Sequence, residues 1–249
     1  MKIKRTGYHK KSISECTFYI VKGDLFLGQE GGHVVAVMDQ DKLIHLRKKL
    51  SEARSEVGSD KIFGQWVIEH SKNLHKMIHI PKGQQQRALV EFVDQYFEFL
   101  PSCIEAFIDI SSSINVYEYT GILLNIAVDF LTQDDFVTDP DSKLVSVLAQ
   151  TYLAYRTLEE LNDRCCGYVG QPLIPADTMM ANLIVHHLLG EDFANELDFA
   201  VHYALESKHE LEREAVSRLQ PVPVDILAEA VDKWPRLGDD LSVQIKYLY

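Results

Sequence analysis

From about Gln84 to Leu219 apolar residues recur at helical spacing almost without a break, and a three-to-four-residue period marks amphipathic helices packed on a common core. A first helix starts near Lys42 behind the capping residue Asp41, with Leu43, Leu46 and Leu50 on one side. Asp60 is placed to cap a second, predicted over Ile62–Ile78, whose inward stripe is Phe63, Val67, His70, Leu74 and Met77. A third covers Gln84–Leu100, and Pro101 is expected to break it and to open the first turn of another. The pattern resumes from Ile104 to Leu131 with an interruption at Ser111–Ser113. Tyr117–Leu131 is apolar on most sides, with a narrow polar seam of Glu118, Asn125 and Asp129.

Ser142 is the expected cap of a long helix reaching about Cys166, with Leu144, Leu148, Thr151 or Tyr152, Tyr155 and Leu158 inward. Met179–Leu189 is so apolar that a central position is predicted for it. Gly190 separates it from one continuous helix over Glu191–Leu219, facing in with Phe193, Leu197, Val201, Ala204, Leu211, Ala215 and Leu219. A last amphipathic piece covers Val224–Lys233.

The N-terminal part has a different rhythm. Thr17–Lys22, Leu25–Leu27 and His33–Met38 are short apolar runs separated by glycine and aspartate, the signature of strands joined by tight turns. The fold class expected is therefore mainly α. It is a multi-helix, orthogonal or bundle-like single domain over residues 1–249, with a small N-terminal antiparallel β element at about residues 17–38. Residues 15–40 would form a short meander packed on the helices, and residues 1–14 a basic flexible arm. No internal repeat or low-complexity linker divides the chain.

Charge narrows the functional classes. The 249 residues carry a formal net charge of −12. Lys2, Lys4, Arg5, Lys10 and Lys11 all precede the first acidic residue, Glu15, so without these five cations the remainder stands at −12 − 5 = −17. An acidic surface repels nucleic-acid phosphates and anionic lipid. Neither nucleic acid nor membrane is expected as a partner, and a basic protein is. No secretory leader and no membrane-length apolar run is read from the sequence. Cys16, Cys103, Cys165 and Cys166 form no CxxC pair, and free thiols suit a cytoplasmic protein.

One constellation has metal-ligand spacing. Glu206 and His209 make an ExxH step, which points two ligands the same way from a helix, and His202 extends the stripe. Helical di-metal proteins use two such steps and further glutamates. Here one step is present, alongside Lys208, Glu212 and Arg213 on what reads as a solvated face. His75 and His79 are four apart and could clamp a metal, but read as a surface pair. His70, within an apolar stripe, reads as a core or boundary histidine hydrogen-bonded to another helix, with a general base in a cleft as the functional alternative. The acidic stretch Asp134–Asp141 lacks the calcium-loop order. Cys165 and Cys166 read as small buried thiols, and Arg156, Glu160 and Arg164 as the ion-pair ladder of an exposed helix edge.

No catalytic or phosphate-binding motif is present. The expectation is a soluble, acidic protein-interaction or regulatory module, probed through the aromatics Trp234, Tyr247 and Tyr249, and a homo-oligomer. No cofactor is expected in that reading. The alternative is a helical metalloenzyme of the di-metal carboxylate type, binding iron, manganese or zinc through Glu206, His209 and His202.

Overall fold

The computed structural model describes residues 19–20, 40–57, 60–80, 83–132, 137–138, 143–170, 172–173, 177–219 and 243–245. These are mainly helical. α1 is Gln40–Val57, α2 Lys61–His70, α3 Gln85–Ser113, α4 Tyr117–Thr132, α5 Lys143–Val169, α6 Asp177–Leu189, α7 Glu191–Glu206 and α8 His209–Val216. Four two-residue strands accompany them: β1 Tyr19–Ile20, β2 Ile78–His79, β3 Val137–Thr138 and β4 Gln244–Ile245. β1 pairs antiparallel with β3, and β2 antiparallel with β4. The expected meander over residues 17–38 lies outside the described residues except for β1, whose described partner is β3. The basic arm, the Val224–Lys233 piece and Trp234, Tyr247 and Tyr249 also lie outside them.

α5 is the axis of the packing. It lies against α4 most extensively and also touches α1, α3, α6 and α7. Leu123, Leu124, Ala127 and Val128 of α4 and Leu144, Leu148, Leu153 and Ala154 of α5 are all without solvent exposure. Each leucine or valine among them stabilises the fold by about 1.5–3 kcal/mol through burial. α1 closes one side with Leu46, Leu50, Ala53 and Val57. α6 is not central as expected. Ala181, Ile184, Val185 and Leu188 are buried, but Met179 and Leu183 are exposed, so its apolar surplus faces out.

Two helix boundaries in α2 and α3 differ from expectation, at Pro101 and at the end of α2, while the interruption expected at Ser111–Ser113 is present as the end of α3. α3 runs straight through Pro101. A proline there lacks the N–H that would bond the carbonyl four residues earlier and crowds that carbonyl with its ring, but its neighbours Phe97, Leu100, Ile104 and Phe107 are fully buried, so packing outweighs the penalty. α3 ends instead where Asn115 adopts a left-handed φ of 59°. Val116 N–H then bonds the Ser111 carbonyl at 2.8 Å and Asn115 N–H the Ser112 carbonyl at 3.2 Å, which is a Schellman cap. α2 begins as expected at Asp60, whose carboxylate accepts from Ile62 N–H and Phe63 N–H at 2.8 and 3.2 Å. It stops at His70 and not at Ile78, because a 3-10 turn over Ser71–Asn73 follows and Leu74 is extended.

The expected single helix over Glu191–Leu219 is two helices. Ser207 Oγ bonds the Ala204 carbonyl at 2.6 Å, and the Lys208 N–H tightens onto the Leu205 carbonyl at 3.0 Å. Side-chain bonds of this kind compete with the regular ladder. The buried face passes through the break as Val201, Ala204, Leu205, Lys208, Glu212 and Ala215, while Leu211, expected inside, is exposed.

Candidate functional site

The chemistry-bearing side chains that the fold brings together lie along α5. Arg156 stands one turn past Tyr152, and Glu159 one turn past Tyr155, so both continue the inward stripe. The Arg156 guanidinium is bonded to Glu159, and its Nε donates to Asp198 Oδ1 on α7 at 3.0 Å. The other Glu159 oxygen accepts from Asn182 Nδ2 on α6 at 2.7 Å, and Asn182 Oδ1 accepts from Tyr96 on α3 at 2.6 Å. Tyr152 donates to Asp198 Oδ1 at 2.8 Å. Having given its one proton to a carboxylate, Tyr152 can only accept from His186 Nδ1, which lies 2.9 Å away. This places a hydrogen on His186 Nδ1.

The result is one connected network joining α3, α5, α6 and α7. Burial pushes the Glu159 carboxyl above its ordinary value, and the opposing pull of Arg156 and Asn182 does not cancel it. Burial also works against charge on Arg156, but Glu159 and Asp198 together hold its pKa above the ordinary value. The Tyr96 and Tyr152 hydroxyls are pushed up, by burial first and by neighbouring groups second. Both Glu159 oxygens and Asp198 Oδ1 are already occupied by fixed donors. Glu159, with both oxygens engaged, is not presented as a base to an incoming molecule, and the network ties four helices together.

A second centre sits two turns along α5. Arg164 Nη1 donates to Glu212 on α8 at 2.5 Å and Nη2 to Glu206 on α7 at 2.9 Å. Tyr119 on α4 donates to the other Glu212 oxygen at 2.9 Å. Of the ladder expected for Arg156, Glu160 and Arg164, the Arg156–Glu160 step is present at 3.4 Å, but each arginine is partly buried and also reaches a carboxylate on another helix.

The residues singled out for metal binding are not brought together. Glu206 is the last residue of α7 and pairs with Arg164, while His209 begins α8 beyond the Ser207–Lys208 break. His202, Glu206 and His209 are all exposed. Among the described residues, no group of three or more His, Cys, Asp or Glu side chains is arranged to hold a metal ion. His75 faces His187, with ring centroids 6.1 Å apart. His70 is half-buried, and its Nδ1 bonds the Leu188 carbonyl at 2.8 Å. Cys165 is buried and Cys166 half-buried, and burial raises the Cys165 thiol. In the α4 seam, Asp129 pairs with Lys42 at 2.8 Å, Glu118 with Arg218 at 2.6 Å, and Asn125 bonds the Gly121 carbonyl of its own helix at 2.9 Å. Of the acidic stretch 134–141 only Val137–Thr138 is described.

Solvent-facing apolar side chains form the other notable feature. On α7 Phe199 is 62% and Tyr203 60% exposed, four residues apart, and on α6 Met179 and Leu183, also four apart, are 53% and 46% exposed. No helix among the described residues is long and apolar enough to cross a membrane. No protein-family model, curated protein or solved structure matches the chain.

Proposed function

We propose that this chain is a protein-interaction module that recognises a basic protein through the outer face of α6 and α7. The observation that carries the reading is the pair Phe199 and Tyr203, two large aromatic side chains one turn apart and mostly in solvent. Aromatic anchors dominate interface energetics, and scattered single apolar residues need no such explanation. Residues 177–206 contain Asp177, Glu191, Asp192, Glu196, Asp198 and Glu206 and no lysine or arginine, and of these Asp198 and Glu206 already pair with Arg156 and Arg164 of α5. A cationic partner complements that charge. A second copy of the same face would set carboxylates against carboxylates, so this face is assigned to a different protein and not to a symmetric homodimer.

The test is capture of partners from native lysate with wild-type protein and with Phe199→Ser/Tyr203→Ser in parallel, at low and high salt. A basic protein held by the wild type, lost from the folded variant and weakened by salt supports the reading. Truncating two such anchors should weaken binding by about thirtyfold or more, the equivalent of about 2 kcal/mol. Equal recovery by both proteins, with matched circular dichroism, ends it.

A further inference from the structure

Four histidines gather where the segment after α2 meets the end of α6. His70, the last residue of α2, bonds the Leu188 carbonyl of α6 through Nδ1 and lies 4.2 Å, centroid to centroid, from the Trp66 ring. His75, beyond the 3-10 turn, stacks on His187 of α6 at 6.1 Å and 21° between planes. His187 in turn meets His186 edge-on at 5.9 Å. The charged groups facing this cluster are few. Glu69 neighbours His70 on α2 itself. From α7, Glu191 lies 3.6 Å from both His186 Nε2 and His187 Nδ1, but its side chain is 67% exposed. Also from α7, Asp198 Oδ2 is 3.8 Å from His186, while its Oδ1 is held by Arg156 and by Tyr152, both of α5.

Two of the contacts have chemistry that protonation disturbs. His75 Nδ1 accepts from the Met77 N–H at 3.3 Å. An imidazolium has no lone pair and cannot accept, so a charged His75 loses that bond. A proton on His187 places a cation between His75 and His186, opposed only by a solvated carboxylate. The corner also contains Trp66 Nε1, a buried donor with no hydrogen-bond partner, which opening would hydrate.

We propose that this histidine cluster is an acid-operated latch: neutral imidazoles hold residues 70–80 against the end of α6, and their protonation releases that segment. α2 itself stays docked, because Phe63 and Val67 are fully buried in the core. The released segment carries β2, so its movement loosens the pairing of β2 with β4 near the C-terminus.

The electrostatic direction agrees with the geometry. Burial lowers the His187 pKa below 6.5; His186 and His75 lower it further, against Glu191. Burial lowers the His70 pKa below 6.5 as well, against Glu69. A histidine with a lowered pKa in the docked state takes its proton first in the released state. Docking is therefore favoured above pH 6.5 and loses stability as pH falls from 6.5 through the lowered pKa.

The experiment is hydrogen exchange of the full chain by mass spectrometry across this pH range, corrected for intrinsic rates, together with an NMR titration of the wild-type imidazoles. The expected result is a His187 midpoint below 6.5. Across that midpoint, exchange of residues 70–80 should accelerate by up to about tenfold per pH unit, while α3 and α5 remain protected. His187→Gln should keep neutral-pH protection and lose most of the acid response, and His75→Gln should do the same should the first variant not fold. A His187 midpoint at or above 6.5, pH-independent exchange in the wild type, or an unchanged acid response in the folded variants overturns the latch.

Discussion

The two arginine centres on α5 are built from the same parts and differ in how much water they keep. Arg156 and Arg164 are eight residues apart, about 12 Å along the helix, and their side chains are 25% and 20% exposed. Each holds one carboxylate that is 8% exposed, Glu159 in one case and Glu212 in the other. The second acid is where they part. Asp198 at the first centre is 30% exposed and is also bound by Tyr152, whereas Glu206 at the second is 47% exposed and has Arg164 as its ion-pair partner. The first centre ties down α6 and α7 and, through Asn182 and Tyr96, α3. The second pins α8 to α4 and α5. Similar chemistry thus serves as an interior clamp at one end and an edge fastening at the other. A buried ion pair adds little over a well-packed apolar substitute, but removing one partner is costly because the other is left charged and enclosed.

The comparison breaks first at Arg156. Arg156→Met leaves Glu159 and Asp198 without their cation and should destabilise the protein by about 3–5 kcal/mol in urea titration. Arg164→Met should cost less, about 2–3 kcal/mol, since Glu206 is hydrated and Glu212 keeps the Tyr119 hydroxyl. Equal losses would show that exposure of the second acid does not separate the centres. The Arg156→Met loss should also shrink as pH falls from neutrality. The Glu159 pKa is already raised by burial, and without Arg156 it rises further. In the folded state Glu159 then takes its proton before the unfolded chain does, so acidification through the raised pKa relieves the folded state. Melts at stepwise lower pH check this, read against wild type at each pH so that the opposite histidine response cancels.

Smaller effects test whether the centres are separate. Tyr119→Phe deletes one donor to Glu212 and should cost about 1.5–3 kcal/mol, the range for a hydrogen bond to a charged group. Combined with Arg164→Met it should be non-additive, because both act on Glu212. Combined with Arg156→Met it should add within about 0.5 kcal/mol, as expected for distant sites. Strong coupling between Tyr119 and Arg156 would mean that α5 transmits strain from one centre to the other.

How legible this was in the sequence depends on which residue type fills an inward position. α1, α4 and the Asp60 cap were readable because leucines and a capping aspartate follow the helical rules. Continuing the α5 stripe by one turn from Tyr155 reaches Glu159, and continuing the α7 stripe past Leu205 reaches Lys208 and Glu212. Hydrophobicity alone rejects those positions and prefers Leu211, which the structure leaves in water. A buried glutamate is tolerable only with partners: Glu212 takes Arg164 and Tyr119 from helices far away in sequence, and Glu159 takes Asn182 from α6 besides Arg156 of its own helix. Pro101 misled for the opposite reason: its local penalty is real, and the buried residues around it outweigh it. The His75–His187 contact had no sequence signal, since more than a hundred residues separate the two rings.

Glu206→Ala should have the smallest effect, and it bears on one of the residues that spacing marked for metal binding. An exposed ion pair is worth about 0–1 kcal/mol, and here the arginine released by the substitution still has Glu212, its closer and more buried partner. The expected change in unfolding free energy is therefore under about 1 kcal/mol, with Arg164 held in place. Glu212→Ala is the matched control: it removes the acid that Arg164 and Tyr119 share and should cost several times more. If Glu206→Ala proved as damaging as Glu212→Ala, the edge centre would be a true three-way clamp, and its contrast with Arg156 would reduce to burial of the arginine itself. A loss for Glu206→Ala that appeared only in the presence of added iron, manganese or zinc would instead assign Glu206 a ligand's role that its ion pair with Arg164 conceals.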